Sequence, residues 1–316
     1  MNPIASLVLI RINGGTAMMR ILGIVGVQIC ICVPIIVFQF CKGKEFFSKE
    51  YWGYALRIGI PIVPHYLSGI ILNQGDRIMI DKMVGKTEVA LYGLAYSIGM
   101  LVQLFISGMN SALTPWMYSK IKKGDIRSMR KVLQLLSIVV VGIAVALMLI
   151  SPELVLIFGS PKYREAVYVI PPVAASVFFI FIYNILSMPQ FYYEKTQFLM
   201  AASMAAAGAD VGLNFIFIRL FGYIAAGYTT LACYMLYSVG HYIVSKRILV
   251  NEGIQENLMN PGFLLACSVF LIGASIICNL IFPYRILRYA ILLASAGLVF
   301  WKKELLLKTM ADIRKK

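Results

Sequence analysis

Apolar runs of about 20 residues recur along the whole sequence, and that recurrence limits the possible folds more than any other feature. A run of that length is what a helix needs to cross the hydrocarbon core of a bilayer. Inside that core no water is available for backbone N–H and C=O groups, so each run must satisfy its own hydrogen bonds as a helix. Nine full spans can be drawn, at about 21–41, 54–80, 89–113, 132–150, 165–188, 198–218, 223–245, 262–282 and 284–301. Composition agrees: only 14% of residues are charged, and the mean hydropathy is +0.82. A soluble domain of this size would need far more charge to cover its surface. The expected fold is all-α, a polytopic membrane helical bundle.

The net charge of +15 would suggest nucleic acid in a soluble protein. Here its distribution is a topology signal, and nucleic acid is not an expected partner. Alternate connections hold 19 and 10 of the Lys and Arg residues, and the richer set includes Lys120–Lys131 and the C-terminal tail. That split predicts a cytoplasmic C-terminus and places residue 81 outside. The basic run KIKKGDIRSMRK (120–131) also suits lipid headgroups, although such runs more often only set topology. The six cysteines lie in or beside apolar runs with no CxxC pair, which favours packing over metal or redox roles. Residues 1–10 lack a basic leader and read as the tail of a span whose beginning is missing.

Six spans joined by short connections occupy 51–247, and two more follow the polar segment 246–261. Transporters are often built from two such bundles rocking about a midplane site. Residues 1–50 then read as the remnant of an N-terminal bundle, with one full span at 21–41. Residues 51–247 read as a six-helix C-terminal bundle, and 248–316 as two trailing helices with a basic cytoplasmic tail.

Polar residues inside spans are costly and usually face a cavity or one another. Asp76, Arg77 and Asp81 sit toward the outer end of the 54–80 span, close to the interface. Asn73, Arg77 and Asp81 follow i, i+4 spacing and can share one face. Arg77 either snorkels outward and pairs with Asp81, or presents its planar fork to a phosphate in a water-filled cavity. Asp76 would then orient Arg77 or take a coupling cation. Asp210, with Asn214 one turn on, lies deeper and has no partner close in sequence. It can exchange a proton or pair across helices. Gly59, Pro61 and Pro64 mark a hinge near the cytoplasmic end of the same helix, because each proline removes a backbone donor and favours a kink. His65 reads as a hydrogen-bonded interior histidine. No GxxxxGK[ST] loop, triad, carboxylate pair or metal cluster appears, so neither an enzyme nor a cofactor is expected.

The run YALRIGIPIVPHYLSGIILNQGDRIMIDKMVGKTEVALYGLAYSIG (54–99) resembles the start of the second half of Wzx-type polysaccharide flippases. These belong to the superfamily of multidrug MATE exporters and lipid II flippases. The resemblance rests on Gly59–Pro61, the Asp76–Arg77 pair, Gly85 and LYGLAY at 91–96. A second stretch, EKT at 194–196 and DVGLNFIFIRLFGYIAAGYTTLACY at 210–234, follows the family order with mild departures at IAAG and TTLA. The resemblance implies a MATE-like bundle, here about nine helices of a 14-helix protein that looks N-terminally truncated. It implies a transporter in the bacterial cytoplasmic membrane that flips isoprenoid-linked oligosaccharide, an O-antigen or exopolysaccharide repeat unit. Its partners would be the polyprenyl pyrophosphate glycan, membrane lipids, and polysaccharide polymerase and chain-length machinery. On that reading Arg77 contacts the headgroup or gates the cavity, while Asp76 and Asp210 orient it or couple a cation. A MATE-like cation-coupled drug antiporter and a non-transporting envelope assembly protein are the rival readings.

Overall fold

A computed structural model describes residues 2–13, 17–44 and 47–301. The expected basic tail with Lys302, Lys303, Lys308, Arg314, Lys315 and Lys316 lies outside the described residues. The chain divides into two compact units, Met1–Arg57 and Ile58–Lys316, with the division inside one long helix. In the first unit, α1 (Asn2–Asn13) crosses α2 (Ala17–Gly43) closely. A Cβ on Gly23 would sit 2.5 Å from the Ser6 Cα, so only glycine admits that approach. The Ser6 hydroxyl donates to the Arg20 carbonyl at 3.1 Å. Most apolar side chains of α2 point outward, as suits a lipid-facing span.

The second unit begins within α3 (Lys49–Met83). It continues through α4 (Lys86–Gly99), α5 (Leu101–Lys122), α6 (Ile126–Phe158) and a 3-10 segment (Pro161–Val169) leading into α7 (Ile170–Tyr192). Then come α8 (Thr196–Phe221), α9 (Ile224–Asn251), α10 (Pro261–Ile281) and α11 (Arg285–Trp301). The centre is α7, apolar on nearly every face and buried along most of its length, as expected of a helix surrounded by others. It packs chiefly on α9 and α6, and α8 packs on α9.

The expected span at 89–113 is two helices, α4 and α5, meeting at Met100, whose N–H bonds back to the Tyr96 carbonyl at 2.9 Å. Gly99 lies against α7, where a Cβ would come 2.7 Å from Val173 Cγ1. Between α5 and α6, Gly124 takes φ 68. Asp125 then caps α6 by accepting from the Ser128 N–H at 3.3 Å. Lys120 closes the same turn on Asp125 at 2.7 Å. Among the described residues, seven helical stretches are long and apolar enough to cross a membrane. The spans expected at 223–245 and 284–301 are the helices α9 and α11, which fall outside those seven. The inward face of α9 carries threonines, tyrosines and a histidine in place of aliphatic residues, and α11 is only 17 residues long. A buried guanidinium docks α11: Arg288 bonds both Glu153 oxygens at 2.8 and 2.9 Å and the Leu149 carbonyl at 2.7 Å.

Candidate functional site

Asp76 lies near the end of α3, about 10 Å of helix before Met83. It is nevertheless completely buried. Neighbouring helices reach it with neutral donors. Asn214 of α8 donates its amide to Oδ1 at 2.6 Å, and Thr230 of α9 donates to Oδ2 at 2.8 Å. The Tyr92 hydroxyl of α4 also donates to Oδ2. Asn214 is held in turn by the hydroxyl of Thr229. Four helices thus converge on one carboxylate. Its place near a helix end does not expose it, because α4, α8 and α9 cover the side chain.

Asp210 stands one turn before Asn214, on the same buried stripe of α8 as Ser203 and Ala206. Both of its carboxylate oxygens are buried and without a hydrogen-bond partner. Across from it α3 carries Gly75, where a Cβ would come within 3.9 Å of Asp210 Oδ2. Two buried carboxylates close enough to act on each other repel, and a positive charge placed between them is attracted by both.

Arg77 is not part of that cluster, nor does it pair with Asp81. Its Nη1 donates to Gln74 at 3.1 Å, and its guanidinium lies 5.2 Å from the centre of the Tyr96 ring, a cation–π distance. Its Nε is buried without a partner. Asn73 accepts from the Tyr96 hydroxyl at 2.9 Å and lines a cavity of about 420 Å³ with His65, Gln74, Tyr183, Asn184 and Tyr237. At the expected hinge, Gly59, Pro61 and Pro64 lie within a continuous helix, and the Pro64 carbonyl accepts from Ser68 at 2.7 Å. His65 is bonded in the interior, 2.5 Å from the Ser203 hydroxyl and 3.1 Å from that of Tyr237.

The structure therefore gathers Asp76, Asp210 and Asn214, sets Asn73 on the cavity wall and holds Arg77 against Gln74 and Tyr96. Sequence reasoning missed Tyr92, Thr229 and Thr230. The available signal was that these hydroxyls fall on otherwise apolar helices at positions where a buried acid needs donors.

A family model described as polysaccharide biosynthesis protein matches residues 4–122. That stretch contains Gly59, Pro61, Pro64, Asn73, Asp76 and Arg77, but not Asp210 or Asn214. A protein of the Lsg locus of Haemophilus influenzae is 28% identical over 195 residues, covering 57% of this chain and 47% of its own length. An uncharacterized membrane protein of the same organism is 29% identical over 189 residues, covering 55% of this chain and 45% of its own length. The chain spans about half the length of the curated relatives it matches. No solved structure matches. Over residues 4–122, then, this multi-pass helical membrane chain is similar to the polysaccharide biosynthesis proteins.

Proposed function

We propose that the chain forms part of a cytoplasmic-membrane transporter that flips isoprenoid-linked oligosaccharide, with Asp76 and Asp210 as its coupling pair. The observation that carries this reading is the family match over 4–122, which includes the Asp76–Arg77 pair. The chemistry supports it. A pyrophosphate-linked glycan is anionic at one end and polar at the other, and both ends need a wet, partly cationic route through hydrocarbon. Arg77, bonded to the cavity-lining Gln74, supplies the cation, and the amides of Asn73, Gln74 and Asn184 supply hydrogen bonds to hydroxyls. The buried acids take up and release the positive charge that drives alternating access. The C-terminus is cytoplasmic on this reading.

The placement of the acids inside and of Arg77 at the edge also favours a second reading, a cation-coupled antiporter of small molecules on the same bundle. Complementation separates the two. The gene is expressed in a strain lacking its lipid-linked-oligosaccharide flippase, and surface polysaccharide is measured. Restored export that Arg77→Ala abolishes and Arg77→Lys partly keeps supports the flippase. No export despite membrane insertion sinks it, and normal export by both variants sinks the headgroup role of Arg77.

A further inference from the structure

The chain has two histidines, His241 buried and His65 partly buried, and both lie on one polar file that leads to the Asp76–Asp210 pair. The file follows the inward face of α9 through Thr230, Tyr234, Tyr237, His241 and Ser245, all nearly or fully buried. Steps of three and four keep these side chains in line over about 22 Å of helix. At the Lys246 end, His241 Nδ1 is 2.8 Å from the Gln190 amide nitrogen. Its Nε2, the Gln190 Oε1 and the Ser245 hydroxyl are buried without partners. One turn on, the Tyr237 ring packs edge-on against the His241 ring at 4.5 Å, and its hydroxyl joins Ser203 and His65. His65 and Tyr237 border the cavity of about 420 Å³, whose far wall holds Asn73 and Tyr234, next to the aspartate cluster.

Buried polar atoms in native proteins are rarely left unsatisfied, and a run of them marks where water threads a protein. Hydroxyls and neutral imidazoles on such a thread can each accept a proton on one side and release one from the other. The geometry points to a proton relay through His241, Tyr237 and His65 that serves the Asp76–Asp210 pair. This inference rests on the coupling role proposed for that pair and names its charge as a proton. His65 takes a proton at one ring nitrogen as the other gives one up, His241 takes and releases its proton at Nε2 because the Gln190 amide donates to Nδ1, and Tyr237 exchanges its hydroxyl proton. The net result is one proton moved onto a carboxylate oxygen, with every relay group returned to its neutral form.

The groups facing the relay suit that task. His65 is faced by Ser203 of α8, Tyr237 of α9, Phe191 of α7 and, on its own helix, Tyr66. His241 is faced by Gln190 and Tyr183 of α7 and by Tyr237. Among the described residues no ion pair holds either ring. Around the acids stand Arg77, Tyr92 and Tyr96, Asn214, and Thr230, Cys233 and Tyr234.

The test is a stopped-flow pH jump on the purified chain in lipid nanodiscs, with a bulk indicator dye reporting proton uptake. Asp76→Asn with Asp210→Asn should remove the slow uptake amplitude. His65→Ala, His241→Gln and Tyr237→Phe should keep the amplitude and slow it by about tenfold or more, and added imidazole should restore the His65→Ala rate. Parental rates in all three relay variants overturn the relay while leaving the coupling pair standing. Slowing that follows lost thermal stability and ignores imidazole overturns it too. Unchanged amplitude in the double aspartate variant overturns the relay and the coupling pair together.

Discussion

Replacing Asp76 separates what holds the helices together from what couples them to charge. Asp76→Ala leaves the Asn214, Thr230 and Tyr92 donors without their acceptor. Interhelical polar contacts inside membrane proteins average about 0.6 kcal/mol and reach about 1.7, so three lost together cost about 2 kcal/mol and at most about 5. Asp76→Asn is nearly isosteric and keeps one oxygen for Tyr92 and Thr230. Only the Asn214 contact is lost, because that residue's own oxygen is already engaged by Thr229. That loss costs about 0.6 kcal/mol. Against it stands the removal of a fully buried carboxylate facing a second one, and taking an ion out of water costs several kcal/mol. The second effect outweighs the first. Asp76→Asn is therefore expected to be as stable as the parent, or more stable by up to about 2 kcal/mol, while losing coupling. Asp76→Ala should fall below the asparagine variant by about 1–3 kcal/mol. SDS titration of the purified chain, followed by helical circular dichroism, measures both. An asparagine variant weaker than the parent by more than about 2 kcal/mol would refute the reasoning, since the carboxylate would then be a structural acceptor.

Two further predictions concern the frame around the site. Glu153→Gln should cost about 2–3 kcal/mol in the same titration, at or just under the roughly 3–5 kcal/mol typical for breaking a buried pair because Glu153 is a quarter exposed. The double variant Glu153→Leu with Arg288→Met should recover most of that, since no buried charge is left alone. At the α5–α6 turn, the Lys120 ammonium and then the Ser128 side chain hold Asp125 down at about 2, against an ordinary 3.8. A depressed folded value means the contribution is complete above about pH 4 and is lost as pH falls through about 2. Solvent screening at this exposed turn limits it to about 0.5–1 kcal/mol. Asp125→Asn, which keeps the cap, should flatten unfolding midpoints across that window while changing helicity little.

How legible all this was in the sequence differs between the helices and the site. The spans are written in long apolar runs, which hydrocarbon forces into helices whatever their neighbours. Asp76, Asp210 and Asn214 stood out for the same reason, as polar exceptions on apolar helices. Their mutual placement did not, because 134 positions separate Asp76 from Asp210 and only tertiary packing brings α3 to α8. The burial of Asp76 was not legible, because distance along a helix says nothing of what packs over its end. His241 and Thr230 were hidden differently. Their polarity lowers the hydropathy of α9, so that a pattern reading sees a weaker span where the structure has a lined interior.

That lining bears on how α3 is held. α7 and α9 run close together along their length, whereas the Ile58–Met83 part of α3 approaches none of its neighbours so closely. It is fastened at three levels by polar side chains: His65 to Ser203 and Tyr237, Asn73 to Tyr96, and Asp76 to Asn214, Thr230 and Tyr92. Close backbone packing is indifferent to charge, but the fastenings at His65 and Asp76 change when a proton or another cation arrives. Two of the three levels hold a titratable group of α3 itself, and Pro61 and Pro64 lie just before the first of them. A helix attached in this way responds to charge along its length while the α7–α9 core stays put. That is the mechanical requirement for coupling a buried acid pair to the opening of a cavity.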